Sequence, residues 1–167
     1  LLAEKKVEEF PDNWVILSLA EVYGAGKKEA ISRLVNLIKK SYFIPVIGNG
    51  QYFLSPVFID DVVIGIIGAI KNDIFRKKYI LAGPEEFTYN EMINRLLKIF
   101  KVKRLKIYLP IFLIKFLAFI FYIFKKDLIV RDQVPRLLCR KPANINLARK
   151  DLSFNPSSFE VGIRKML

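Results

Sequence analysis

The alternation of short apolar runs with amphipathic segments is the feature that most constrains this chain. Residues 14–19 (WVILSL) form an apolar run of strand length, which is typical of a buried parallel strand. The next segment places Ile31, Leu34 and Ile38 on one face and predicts a helix. Residues 79–81 predict a second brief buried strand. Strands that alternate with helices predict an α/β fold.

Local signals predict where several elements begin and end. Residues 44–47 predict a short strand broken by Pro45, and residues 107–109 predict an extended segment before Pro110, which suits the first turn of a helix. Polar residues at helix N-termini satisfy free backbone N–H groups. Three helix starts are predicted on this basis, at Asp60 and Asp61, at a capping box of Thr88 and Glu91, and at a capping box of Ser157 and Glu160.

Composition excludes several classes of site. The chain has 167 residues, which suits one domain, and we find no sign of a second. It has no histidine, so Ser-His and Cys-His nucleophile pairs are excluded, and with one cysteine, Cys139, it cannot build an ordinary zinc site. A lone cysteine also fits a reducing compartment, and we expect a cytoplasmic location. The net charge of +12 favours anionic partners, but no motif indicates nucleic acid.

A helix predicted from Ile111 to Phe124 is apolar on all sides except for Lys115. At about 1.5 Å per residue it is roughly 21 Å long, which is short of the roughly 30 Å hydrocarbon core of a bilayer. Basic residues flank both ends. The composition leaves two interpretations open: peripheral contact with an anionic membrane surface, at its inner face, or burial in the fold or in a homodimer.

Four stretches carry a resemblance, in order along nearly the whole chain: residues 16–24 (ILSLAEVYG), 45–50 (PVIGNG) with 56–62 (PVFIDDV), 81–91 (LAGPEEFTYNE) and 146–156 (NLARKDLSFNP). Together they resemble the extended short-chain dehydrogenases/reductases of the NAD-dependent epimerase/dehydratase family. The resemblance is greatest to atypical members, namely nucleoside-diphosphate-sugar epimerase-like proteins and the NAD(P)H-binding accessory subunit of respiratory complex I.

The resemblance implies that this chain is the C-terminal half of one Rossmann-like domain, with its smaller, mostly helical substrate-binding region. Leu1-Leu2-Ala3-Glu4 matches the segment that follows the family's catalytic Tyr and Lys, so both lie upstream of residue 1 and no catalytic residue is expected here. The glycine-rich phosphate loop belongs to the other half. The parent is expected to bind NAD or NADP, and this chain alone neither.

The family pattern also implies site residues. Leu19, Ala20 and Val22 are expected to flank the nicotinamide, whereas Glu21, Tyr23 and Leu54 are expected on the substrate side. An alternative is that Val22 and Tyr23 only pack the end of the strand. Glu21 stands where sugar epimerases carry Asn, and Leu54 where many carry an Arg that binds substrate phosphates. Both differences count against an ordinary nucleotide sugar as the substrate.

Two functional interpretations remain open from the sequence. In the first, the chain is the substrate half of an epimerase, dehydratase or reductase that acts on a small molecule, such as a nucleotide sugar. In the second, it belongs to a non-catalytic NAD(P)H-binding or assembly subunit that uses the same fold as a scaffold. Asp61 is interpreted as structural in both, because a carboxylate there caps a helix and fixes the preceding loop.

Overall fold

A computed structural model describes residues 2–26, 29–113 and 143–167. The described elements, in chain order, are α1 (Leu2–Glu8), β1 (Val15–Leu19), β2 (Val22–Tyr23), α2 (Ala30–Lys40), β3 (Phe43–Ile47), β4 (Phe53–Leu54), β5 (Val57–Phe58), α3 (Ile59–Lys71), β6 (Lys77–Leu81), β7 (Phe87–Thr88), α4 (Tyr89–Phe100), β8 (Leu105–Leu109), α5 (Asn146–Leu152) and α6 (Phe159–Met166). The predicted α/β class is confirmed.

The chain divides into two compact units. Unit 1 consists of Leu1–Ser32, Ser55–Glu86 and Pro142–Leu167, and unit 2 consists of Arg33–Leu54 and Phe87–Lys141. Helix α2 begins in the first unit and continues in the second.

Unit 1 is built around the parallel pair β1 and β6. Leu17 lies opposite Tyr79, and Leu19 lies opposite Leu81, which confirms the prediction that residues 14–19 and 79–81 run parallel in one sheet. Helices α3 and α5 pack against this pair, because α3 approaches closely at its glycines. A Cβ atom on Gly65 would lie 3.0 Å from the Leu81 side chain.

The core of unit 1 is mainly apolar. Its buried members come from two of its sequence segments, and the first segment packs partly buried residues such as Val15 and Leu17 against them. Its buried members are Val57, Val62, Ala69, Tyr79, Leu81, Ala82, Ile145, Ala148, Leu152 and Phe154. Because the closing segment of the chain supplies four of these residues, the fold of unit 1 depends on contacts between residues far apart in sequence.

The described part of unit 2 contains two small sheets. Strands β3 and β8 are parallel, with Phe43 opposite Leu105, and strands β4 and β7 are antiparallel. The sequence suggested that Pro45 breaks this strand, but β3 continues through it from Phe43 to Ile47. Gly48 donates its N–H to the carbonyl of Leu109, and Tyr42 accepts from Leu105. The backbone N–H and C=O groups of the even-numbered residues of β3 therefore point toward β8. The backbone of Pro45 points away from β8, so its missing N–H costs no ladder hydrogen bond.

One predicted capping box is confirmed and the other is wrong. Thr88 Oγ1 accepts the N–H of Glu91 at 3.2 Å, and the Glu91 carboxylate accepts the N–H of Thr88 at 2.7 Å. At α6 the N-cap residue is Ser158, whose side chain makes no capping bond. Ser157 instead donates its N–H to Asp61, so the pattern that resembled a capping box belongs to a contact with a distant part of the chain.

The apolar helix predicted from Ile111 to Phe124 lies mostly outside the described residues. Residues 111–113 are helical and follow Pro110, as expected. Among the described residues, no helix combines the length and the apolar composition needed to cross a bilayer.

Candidate functional site

The loop after β1 is fixed by its backbone on both sides. Ala20 donates its N–H to the carbonyl of Leu81 at 3.0 Å, and the carbonyl of Glu21 accepts the N–H of Val57 at 3.0 Å. Strand β2 then pairs in parallel with β5. This loop leaves the carboxyl end of a parallel strand, which is where ligands bind in open α/β sheets.

The three residues expected beside a nicotinamide lie together in this loop. Leu19 is the most exposed of them, with 45% of its surface accessible, whereas Ala20 and Val22 are half-buried and pack on the core of unit 1. They offer apolar contact surface for a flat ring. Their role in cofactor binding stays a prediction.

Tyr23 is fully buried in unit 1. Its hydroxyl donates to the carbonyl of Phe159 at 3.3 Å, and its ring lies 5.4 Å from that of Phe159 and 5.6 Å from that of Phe58. Burial, followed by the nearby Asp61 carboxylate, raises the pKa of Tyr23 above its ordinary value, so the hydroxyl remains a donor at neutral pH. Of the two interpretations of Tyr23, these contacts favour packing.

Glu21 and Leu54, the other two residues expected on the substrate side, belong to different units. Glu21 is half-buried in the loop after β1. Leu54 is 6% exposed, on β4 of unit 2, opposite Phe87. Burial leaves Leu54 with protein contacts, so its described environment favours packing over contact with substrate phosphates.

Asp61 holds the closing segment of the chain onto α3. It is 5% exposed, and its carboxylate accepts the N–H of Ser157 at 2.8 Å and the hydroxyl of Ser157 at 3.3 Å. Asp61 lies in the first turn of α3, but the N-cap residue is Phe58. The structural interpretation therefore agrees with these contacts, although the partner is Ser157 and the predicted capping role is wrong.

A second carboxylate contact in unit 1 was missed from the sequence. Asp151 accepts from Lys77 Nζ at 2.8 Å and from the Tyr79 hydroxyl at 2.9 Å. The hydrogen bond from Lys77, and then that from Tyr79, lowers the pKa of Asp151. Asp151 stands within the stretch that carried the family resemblance, but its partners lie more than 70 residues away, so no local signal identifies them.

Unit 2 carries a polar cluster that the sequence also did not reveal. Lys106 Nζ donates to the carbonyl and side-chain oxygens of Asn90 at 3.2 and 3.4 Å, and the Tyr108 hydroxyl donates to the same side chain at 3.4 Å. Burial lowers the pKa of Lys106. A partly buried cation held by neutral oxygens was hidden in the sequence within a run of basic residues.

An open cleft of about 440 Å³ lies in unit 1, at the opposite end of β1 from the loop. It is lined by Asn13, Trp14, Val15, Leu17, Ile66, Ala69, Ile70, Asp73, Ile74 and Phe75. These residues are mainly apolar, and the position is away from the carboxyl ends of the strands. Within the described residues, no group of three or more His, Cys, Asp or Glu side chains could hold a metal ion.

Solved structures similar to this chain include nucleotide-sugar epimerases and dehydratases, several of them in complex with NAD. One of them is UDP-glucuronic acid 4-epimerase from Bacillus cereus, in complex with UDP-glucuronic acid and NAD. The match covers 99% of this chain and 47% of the epimerase chain, with a TM-score of 0.70 and 21% sequence identity. The chain has the fold of nucleotide-sugar epimerases and dehydratases.

Two further structures agree with this fold. UDP-glucose 4-epimerase from Thermotoga maritima, solved with UDP-glucose, gives a TM-score of 0.71 at 18% identity, with 99% of this chain and 48% of that chain covered. dTDP-glucose 4,6-dehydratase from Streptomyces venezuelae, solved with NAD, gives 0.72 at 17% identity, with 99% and 46% covered. The predicted Rossmann-like fold is confirmed, and the chain spans about half the length of the structures it matches.

One protein that is similar in sequence is a subunit of NADH dehydrogenase. The mitochondrial NADH dehydrogenase (ubiquinone) 1 alpha subcomplex subunit 9 of Arabidopsis thaliana is 40% identical over 57 residues. This match covers 33% of the present chain and 14% of that protein. No protein-family model matches the chain.

Proposed function

We propose that this chain is the substrate-side half of an NAD(P)-binding protein with the epimerase/dehydratase fold. The observation that carries the proposal is the loop after β1, which is fastened to β6 and β5 at the carboxyl end of a parallel strand. In NAD-bound structures of the same fold, nearly the whole of this chain matches about half of the enzyme.

The loop residues fit one part of such a cofactor. Leu19 and Ala20 offer an apolar wall suited to a nicotinamide ring, and Val22 supports them from the core. When bound, the cofactor would accept and return hydride at a sugar carbon. The chain has no G-x-G-x-x-G sequence to place backbone N–H groups around a pyrophosphate, so the phosphate contacts belong to the other half of the fold.

Unit 1 offers surface for that other half. Among the described strands, β1 pairs only with β6, so its other edge is available to a further strand. Its apolar sequence is typical of a strand that is covered on both faces. Helix α3 is apolar almost all round and leaves Ile64 53% and Ile70 71% exposed, and Ile70 also lines the cleft beside β1. A helix of this composition is ordinarily covered by more protein.

The substrate proposed for the parent is a small molecule, with Glu21 as the residue of this chain nearest to it. A carboxylate at this position disfavours a diphosphate by charge repulsion. The proposal therefore assigns the parent a less anionic substrate than the enzymes with which it shares the fold.

A second candidate is a non-catalytic NAD(P)H-binding or assembly subunit. The 40% identity over 57 residues to a subunit of mitochondrial NADH dehydrogenase favours it. Both candidates use the same cofactor wall, and they differ in whether the other half supplies a catalytic Tyr and Lys. Turnover by the parent of a panel of sugars with and without a nucleoside diphosphate, measured with intact cofactor binding, separates them.

Cofactor binding tests the part that both candidates share. We expect the 167-residue chain alone to show no binding of NAD or NADP by calorimetric titration, and the parent protein to bind one of them. In the parent, Leu19→Ser should weaken binding by roughly tenfold, because it replaces apolar contact surface with a hydroxyl. Leu147→Ser, at a leucine 47% exposed on α5, is the matched control. Equal affinities for both variants would remove Leu19 from the site, and micromolar binding by the chain alone would contradict the division of roles.

A further inference from the structure

The two faces of the sheet of β3 and β8 in unit 2 differ in composition. On one face Ile44 and Val46 are fully buried, and Lys106 and Tyr108 lie opposite them on β8. The other face, here called the apolar sheet face, consists of Phe43, Pro45, Ile47, Leu105, Ile107 and Leu109, which are paired across the two strands. A sheet with one face in water ordinarily alternates apolar and polar residues. In β8 the alternation is inverted, because Lys106 shares a face with the buried Ile44 and the apolar Leu105 and Ile107 lie on the exposed face.

Much of the apolar sheet face is accessible. Phe43 is 50% exposed, Leu105 53% and Ile107 44%. A contiguous exposed apolar surface of this kind marks a binding surface.

The charge of the chain is concentrated in the same unit. The sequence of unit 2 contains 16 Lys and Arg residues and 3 Asp and Glu residues, for a net charge of +13. Unit 1 contains the other 12 and 13, for a net charge of −1. Unit 2 therefore accounts for the whole excess of positive charge.

The fold places basic residues at one end of the apolar sheet face. Lys39 and Lys40 end the helix that leads into β3, and Lys101 and Lys103 precede β8; all four are exposed. Because the two strands are parallel, their starts lie at the same end of the sheet. The hydrogen bond from Arg104 Nε to the carbonyl of Ile38, at 3.0 Å, ties the two approaches together.

We propose that the apolar sheet face is a docking surface for an anionic lipid bilayer. Phe43, Leu105 and Ile107 would enter the boundary between headgroups and acyl chains, and the lysines at the strand starts would lie among the headgroups. Charge complementarity selects this occupant. A second copy of the chain would bring like charge against like charge, and a nucleic acid would leave the apolar side chains in water.

This inference is independent of the cofactor site and of the helix predicted from Ile111 to Phe124. It rests on the described residues of β3, β8 and their approaches. A bilayer contact by the predicted helix alone would need none of them, so substitutions on the sheet distinguish the two.

Vesicle flotation of the 167-residue chain tests the proposal. We expect co-flotation with phosphatidylcholine vesicles that contain phosphatidylglycerol, and its loss with phosphatidylcholine alone or at high salt, because the headgroup attraction is screened. The double variant Phe43→Ser/Leu105→Ser should bind anionic vesicles on the order of tenfold more weakly, since it removes two apolar contacts. Lys101→Gln/Lys103→Gln should lose affinity by a similar factor.

Two matched controls keep the result specific. Ile64→Ser/Ile70→Ser removes comparably exposed apolar residues from α3 of unit 1, and Lys5→Gln/Lys6→Gln removes two exposed lysines from α1. Both controls should float like the unsubstituted chain, and circular dichroism confirms that each variant is folded. Unchanged flotation of Phe43→Ser/Leu105→Ser would overturn the proposal, even if the chain still bound vesicles. So would a chain dimer, seen by sedimentation without lipid, that these two substitutions dissociate.

Discussion

Units 1 and 2 use their charged side chains in different ways. In unit 1, carboxylates join distant segments: Asp61 holds Ser157, and Asp151 holds Lys77 and Tyr79. In the described part of unit 2, Glu91 is the only carboxylate, and it acts within the first turn of its own helix. Cations of unit 2 bind neutral oxygens instead, as Arg104 does at the carbonyl of Ile38.

The difference teaches how to interpret exposed apolar surface. Both units expose apolar residues, on α3 in unit 1 and on the apolar sheet face in unit 2. Unit 1 is nearly neutral, so its apolar helix suits more protein, and we assigned that role to the other half of the fold. Unit 2 carries +13, and a partner with negative charge would relieve its self-repulsion. Apolar exposure marks a surface for binding, and charge selects the kind of partner.

The largest expected effect tests the long-range carboxylate of unit 1. Asp61→Ala should lower the free energy of unfolding by about 2 kcal/mol, because it leaves the part-buried N–H and hydroxyl of Ser157 without their acceptor. Urea unfolding followed by the fluorescence of Trp14, the single tryptophan, measures this loss in unit 1.

Asp60→Ala is the control for that measurement. Asp60 is exposed and occupies the same first turn of α3, so both substitutions remove one negative charge from the helix N-terminus. The difference between them isolates the contacts with Ser157. Equal losses would mean that Asp61 acts through the helix dipole and that unit 1 lacks the long-range contact on which the comparison rests.

The sequence predicted what depends on neighbours along the chain. The apolar runs gave β1 and β6, and the T-x-x-E pattern gave the capping box at Thr88, because both signals are complete within a few residues. Ser157 carried the same kind of pattern, yet its partner is Asp61, 96 positions away. A local pattern cannot distinguish a cap from a long-range contact.

The candidate site was predicted in part for the same reason. The resemblance located the loop from Leu19 to Tyr23, which leaves the carboxyl end of β1 as expected. It could not show that Tyr23 and Leu54 are buried, because Phe159 and Phe87, which contact them, come from distant segments. Nor could the sequence show which face of β8 is buried, because Ile44, which lies opposite Lys106 on that face, is far away along the chain.

A smaller effect tests the local carboxylate of unit 2. Thr88→Ala should lower the free energy of unfolding by about 1 kcal/mol, because it removes one half of the capping box at α4. Ser158→Ala, at the N-cap of α6 in unit 1, should lower the free energy of unfolding by only about 0.3 kcal/mol, since the Ser158 side chain makes no capping bond. Urea unfolding followed by far-ultraviolet circular dichroism compares the two. A larger loss at Ser158 would reverse the contrast between a locally capped unit 2 and a unit 1 closed by distant contacts.

The smallest effect is the pH dependence of the Asp151 contacts. Hydrogen bonds from Lys77 and then Tyr79 lower the pKa of Asp151 in the folded chain, so protonation favours the unfolded state. The stabilisation is complete above the ordinary aspartate pKa of about 3.9 and is lost as the pH falls through the lower folded value. The same hydrogen bond raises the pKa of Lys77, so Lys77 stays protonated throughout this acid range and the change comes from Asp151. Other carboxylates titrate there too, so the measurement is the stability difference between the unsubstituted chain and Asp151→Asn, followed by Trp14 fluorescence at a series of pH values. That difference should be constant near neutral pH and shrink below about pH 3.9.

Glu91→Gln, in unit 2, is the parallel case, because the N–H of Thr88 lowers the pKa of Glu91 in the same direction. A difference for Asp151→Asn that grows on acidification would show that Lys77 and Tyr79 do not favour the ionised carboxylate. The contrast in how the two units use their charges would then rest on Asp61 alone.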